Sequence, residues 1–154
     1  RALADRIDAA SGARTVTAAG ALVHALASMG IARIGFASPY VPAINDLAIQ
    51  FLEEAGISTV ARSEVRDTLD NQGHGALDPY AVFDLGLAAD TPDAEGVVLS
   101  CTDMRSVEVI SRLEEAIGKP VISSNQAMVF QALEILGISD PVSGYGRLLA
   151  KARL

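Results

Sequence analysis

Val97-Val98-Leu99-Ser100-Cys101-Thr102-Asp103 is the stretch that decides how this chain is read. An apolar run that gives way to small polar residues reads as a strand buried on both faces, here over 96–101. A helix is expected directly after it, over 105–117, stopped by Gly118. A parallel α/β sheet presents its chemistry at that edge, because strand ends and helix N-termini converge there. A thiol in the field of a helix N-terminus ionises more easily and serves as proton donor, proton acceptor or nucleophile. The plain alternative is that Cys101 is a small buried hydrophobe.

Outward from that strand, the same alternation recurs. Strands are expected over 14–17, 33–38, 57–61 and 120–123, and helices over 18–29, 42–55, 78–89 and 125–136. Pro42 sits in a first helical turn, and Gly30, Gly56 and Gly137 follow helix ends. The segment 64–76 is polar, and Asn71-Gln72-Gly73-His74-Gly75 reads as a loop. The fold class that follows is α/β, a parallel sheet with helices on both faces, forming a Rossmann-like lobe.

An internal echo accompanies it. Gly12-Ala13-Arg14-Thr15-Val16-Thr17 opens a strand-helix unit ending Met29-Gly30-Ile31, and Gly118-Lys119-Pro120-Val121-Ile122-Ser123 opens another ending Leu136-Gly137-Ile138. Extended backwards, the echo pairs Arg6, Ile7 and Asp8 with Arg112, Leu113 and Glu114. The first residues therefore read as the tail of a helix equivalent to 105–117, and the counterpart of Cys101 falls ahead of Arg1. Two such lobes facing each other would set acid/base groups on both sides of one carbon, as racemisation or cis-trans isomerisation requires.

Composition narrows the partners. The 154 residues allow one domain with a real core, half of them hydrophobic and only 5% aromatic, so aliphatic side chains must do the packing. A net charge of −7 without a basic cluster argues against nucleic acid. One cysteine excludes an internal disulfide and suits a reducing compartment, taken as the cytoplasm. No apolar run approaches the roughly 20 residues that span a bilayer. There is neither a Walker A motif nor a G-x-G-x-x-G, so no nucleotide cofactor is expected, and no His/Cys/Asp spacing points to zinc.

Small polar residues mark the other strand ends. Ser38-Pro39-Tyr40-Val41 leads into a helix, and its backbone N–H groups with the Tyr40 hydroxyl are suited to a carboxylate; a capped turn is the alternative. Ser123-Ser124-Asn125-Gln126 repeats the arrangement, with N-capping as its ordinary use. Thr102 and Asp103 follow Cys101 in the same way. Asn71 reaches toward a cleft or serves a turn. His24, among Leu22, Val23 and Leu26, reads as packed or solvated, and His74 as a flexible loop residue. Gly144-Tyr145-Gly146-Arg147 reads as a tight turn before a basic tail.

Four segments resemble one known family. Ser38-Pro39-Tyr40-Val41 with Asn45 is similar to the tyrosine loop of maleate cis-trans isomerases and arylmalonate decarboxylases, members of the aspartate/glutamate racemase superfamily. Ser100-Cys101-Thr102-Asp103-Met104-Arg105-Ser106 resembles their second cysteine segment. The stretch from Gly118 to Ala127 resembles the strand and helix after it, and Gly144-Tyr145-Gly146-Arg147-Leu148 the closing motif.

The resemblance implies a pseudo-symmetric fold of two lobes. Residues 1–30 would be a remnant of the first lobe with its crossover, 31–123 the second lobe, and 124–154 a helix and tail returning to the first. The first catalytic position would lie ahead of Arg1, so the chain by itself is expected to be inactive. Cys101 would be the second-lobe cysteine, donating a proton to a carbanion or enediolate-like intermediate. Tyr40 would hydrogen-bond a substrate carboxylate, assisted by backbone around Ser38, Pro39 and Val41. Asn71 would hold a carboxylate, and Thr102 and Ser124 would line the pocket. The implied enzyme is a cofactor-independent cysteine isomerase of small carboxylates, a homo-oligomer, with no metal. Thr102-Asp103 departs from the glycine pair that follows the cysteine in arylmalonate decarboxylase, which favours the maleate isomerase branch. Decarboxylation, amino-acid racemisation and a non-catalytic anion-binding domain stand as alternatives. A receiver-type domain would need an acidic cluster at the strand ends, and none is found.

Overall fold

The structure, a computed structural model, describes residues 2–151. Four parallel strands, β1 (Arg33–Ser38), β2 (Ser58–Glu64), β3 (Gly96–Leu99) and β4 (Val121–Ser123), form one sheet in the order β2-β1-β3-β4. The helices are α1 (Ala2–Ser11), α2 (Ala18–Met29), α3 (Pro42–Glu54), α4 (Asn71–Ala76), α5 (Pro79–Ala89), α6 (Ile110–Ile117), α7 (Ser124–Ile135) and α8 (Gly146–Ala150). Every residue of β3 is buried and all of β1 but its first, as central parallel strands covered on both faces must be.

Alternation along the strands sorts the core into two layers. Ile34, Phe36, Val98 and Ile122 pack under Leu22 and Leu26 of α2, Leu52 of α3, Phe130 of α7 and Leu148 of α8. Ala37, Val97, Leu99 and Val121 face Val82 and Leu85 of α5 and Ile110 and Leu113 of α6. Gly35 is glycine for a steric reason: a Cβ there would stand 2.0 Å from the Ala89 carbonyl oxygen at the end of α5. On the first layer α2 and α7 are joined by the ring of His24, which pairs with Glu134 and lies 6.0 Å from Phe130 while its side chain stays partly exposed, so His24 is packed on one side and solvated on the other.

Register decides where chemistry can collect. Ala37 pairs with Leu99 and Leu99 with Ser123, so Ser38, Ser100 and Ser124 all follow from the same edge of the sheet. The Ser100 N–H donates to the Ala37 carbonyl at 2.8 Å and continues that ladder by one residue.

Four local expectations are corrected. Residues 14–17 are extended but not a strand, because none of the four strands borders them and a strand exists only through its ladder. The 71–76 segment is a short helix rather than a loop. The Asp70 carboxylate accepts from the Gly73 N–H at 2.7 Å, and burial of His74 anchors the turn against the cost of its glycines. The helix expected from 105 begins at Ile110, after a 3₁₀ turn over Ser106–Glu108. Met104 and Ser106 both turn inward, a spacing of two that an α-helix cannot bury on one face. Gly144 and Tyr145 turn as expected, but Gly146 and Arg147 already open α8, and the tail beyond 151 lies outside the described residues.

Candidate active site

Cys101 closes the run after β3 and lies on the wall of a cleft of about 230 Å³ at the carboxyl edge of the sheet. The polar lining comes from Tyr40, Ser100, Cys101, Thr102 and Ser124, and the apolar wall from Leu22, Phe36, Phe51 and Leu52 among others. Ala18 and Ala19, the first residues of α2, also reach the cleft, so the N-termini of α2 and α7 both open onto it. Those ends carry N–H groups without helical partners and a positive partial charge, a setting for a small anion that needs no lysine or arginine.

Each polar group is held from behind. Ser38 is fully buried, its hydroxyl bonded to the Asn45 side-chain oxygen while accepting from the Tyr40 N–H at 3.1 Å. The Asn45 amide donates to the Tyr40 carbonyl at 2.9 Å and to Glu64 at 2.7 Å. The loop carrying Tyr40 is thereby tied to both α3 and the end of β2. On the opposite side Ser123 and Gln126 form a capping box that begins α7, and the Asn125 amide donates to the Thr102 carbonyl at 2.9 Å. That bond fixes the backbone next to the thiol.

Tyr40 packs against the cluster that holds Cys101, and both residues line the cleft. Burial first, and then the nearby Cys101 and Asp103, favour the neutral phenol and push Tyr40 well above its ordinary value. Tyr40 is therefore a hydrogen-bond donor at any physiological pH. The thiol itself is 2% exposed, more enclosed than a reactive cysteine is expected to be. The late start of α6 also removes the helix N-terminus expected next to it.

Of the residues singled out in the sequence, Tyr40, Cys101, Thr102 and Ser124 meet in this cleft. Ser38 supports it from beneath, whereas Pro39 and Val41 do not line it. Asn71 is exposed at the start of α4, outside the lining. His74, expected as a flexible loop residue, is instead a buried helical one: it is 5% exposed and its ring meets that of Tyr40 edge-on, with centroids 5.0 Å apart. Its glycine neighbours hid it, since nothing in a Gly-His-Gly run announces burial. Asn45 stood in the tyrosine-loop segment, but its clamping role depends on Glu64 of another strand.

The family model for arylmalonate decarboxylase matches residues 1–149. The chain belongs to the arylmalonate decarboxylase family. Within it, the chain is 31% identical over 141 residues to a maleate isomerase of Pseudomonas putida, covering 91% of this chain and 56% of the relative. It is 29% identical over 143 residues to an arylmalonate decarboxylase of Bordetella bronchiseptica, covering 90% and 59%. Among solved structures, a maleate isomerase from Pseudomonas putida S16 with maleate superposes with a TM-score of 0.89 at 26% identity, over 97% of this chain and 62% of that one. The chain thus spans about half the length of the curated relatives it matches, and its parallel sheet with helices on both faces is the family's fold.

Proposed function

We propose that this chain is the thiol-bearing lobe of a cofactor-independent isomerase of small carboxylates, acting as the similar maleate isomerases do. The observation that carries the reading is the meeting of Cys101, Tyr40, Thr102 and Ser124 around one cleft onto which two helix N-termini open. Residues 31–123 make the second lobe, whose sheet is closed on one face by α2, α7 and α8, and a first lobe facing it supplies the opposing catalytic group.

In this reading one substrate carboxylate accepts from the Tyr40 hydroxyl and from free N–H groups at the helix ends. A nucleophile on the facing lobe adds to one alkene carbon, and the Cys101 thiol gives its proton to the other. The C=C bond becomes a single bond and rotates. Cys101 then takes a proton back as the nucleophile leaves, which restores both groups and releases the trans isomer. The enzyme works as a homo-oligomer in the cytoplasm, where its thiol stays reduced.

Proton NMR in D₂O with maleate tests this, comparing a form that includes the facing lobe with its Cys101→Ala variant. Fumarate should appear with the first and not the second, and the 154-residue chain alone should leave maleate unchanged. The family match and the Bordetella relative favour decarboxylation of substituted malonates as the second reading. If maleate is inert, α-proton exchange of aspartate and glutamate and then malonate decarboxylation are assayed. Inertness in all three would leave an anion-binding domain.

A further inference from the structure

Behind Tyr40, three side chains that never approach one another in sequence come together. One ring nitrogen of His74, the Cys101 sulfur and a carboxylate oxygen of Asp103 all lie within 4.8 Å of one another. His74 comes from α4, the other two from the loop after β3. The isomerase chemistry proposed above assigns no task to His74 or to the Asp103 carboxylate. Moreover, the His74 Nδ1 is buried without a hydrogen-bond partner. A buried ring nitrogen left unpaired costs free energy, so a ring that carries one and also faces a thiol and a carboxylate calls for a ligand.

We propose that His74, Cys101 and Asp103 form a binding site for a borderline-soft divalent cation of the zinc type, and that its occupancy silences the thiol. One nitrogen, one sulfur and one oxygen donor make the mixed set that Zn²⁺ takes, whereas Mg²⁺ and Ca²⁺ prefer all-oxygen sites. Zn²⁺ bonds of about 2.0–2.3 Å set tetrahedral ligand atoms roughly 3.5 Å apart. The three atoms stand at most 4.8 Å apart, so about an ångström of movement closes the set, and of the three side chains only that of Asp103 is exposed. The fourth position is left for water.

Binding breaks the S–H bond of Cys101: sulfur keeps the electron pair and bonds to the metal, and the proton goes to buffer. A metal-bound thiolate has no proton to deliver. This silencing rests on the reading of Cys101 as the proton donor, but the site itself does not, and no substrate enters its test.

The experiment is a titration of the protein with Zn²⁺ in buffers of differing ionisation enthalpy, and with Co²⁺ followed by absorption. One ion should bind per chain with release of a proton, more tightly as pH rises, and Co²⁺ should show a thiolate-to-metal charge-transfer band. His74→Ala and Cys101→Ser should each lose the band. Asp103→Asn, at an exposed position and so safe for folding, should keep the band but bind more weakly. No uptake, uptake without proton release or band, or an Asp103→Asn variant that binds like the wild type would each overturn the site. These results stand apart from the NMR assay, since turnover of maleate neither requires the metal nor predicts it.

Discussion

At the scale of single residues the proposed chemistry rests on the pair Tyr40 and Cys101. The phenol's ionisation is pushed upward by burial and by its partner, so it should titrate above the ordinary tyrosine value of about 10. Spectrophotometric titration should show a late ionisation that Tyr40→Phe removes; superimposable curves would refute the assignment. The sign for stability follows. The protonated phenol is favoured in the fold, so its contribution is complete below about pH 10 and fades as pH rises beyond that. For the thiol, native iodoacetamide labelling decides between an enclosed catalytic group and an inert buried one. Catalysis predicts slow native labelling at Cys101 that a small diacid prevents. No labelling until denaturant is added would favour the binding domain.

Elements place those residues, and two contacts between elements bear most of that task. Asn45 on α3 joins the Tyr40 loop to Glu64 of β2, and Asn45→Ala would leave Ser38, the Tyr40 carbonyl and Glu64 short of a partner. A loss of about 1–3 kcal/mol is expected, read as a lower midpoint in urea, with a weakened grip on substrate carboxylate. Gly35→Ala would drive a methyl group into the α5 carbonyl 2.0 Å away, where backbone on both sides leaves little room to yield. Its cost should be about 1–3 kcal/mol, and an unchanged midpoint would show that α5 shifts freely. Gly35 and Asn45 lie in one strand-helix unit that was legible in the sequence. The short α4 was not, because glycines argue for a loop and only the tertiary burial of His74 argues against one.

On the scale of the whole molecule, apolar side chains remain uncovered near the cleft mouth. Leu47 is 64% exposed, and Ile44 and Phe51 on the same helix are also open to solvent. A stripe of this kind suits association with another apolar surface. The chain should therefore elute from a sizing column above its monomer size, and Leu47→Asp should shift it downward. A compact wild-type monomer would contradict this. No helix among the described residues is long and apolar enough to cross a membrane, so a bilayer-spanning helix does not account for the stripe.

By itself the sequence determined the alternation of buried strands and covering helices, since periodicity and glycine stops are local properties that each segment carries alone. It also marked Tyr40, Cys101, Thr102 and Ser124, because small polar residues after an apolar run have few reasons to be there. Only the tertiary structure decided what meets what. Parallel register set Ser38, Ser100 and Ser124 on one edge, and the same packing left Asn71 outside the cleft. Burial of one helix turn carried His74 to Cys101 and Asp103. Such contacts join residues far apart along the chain, and no local pattern of side chains encodes a distance between them.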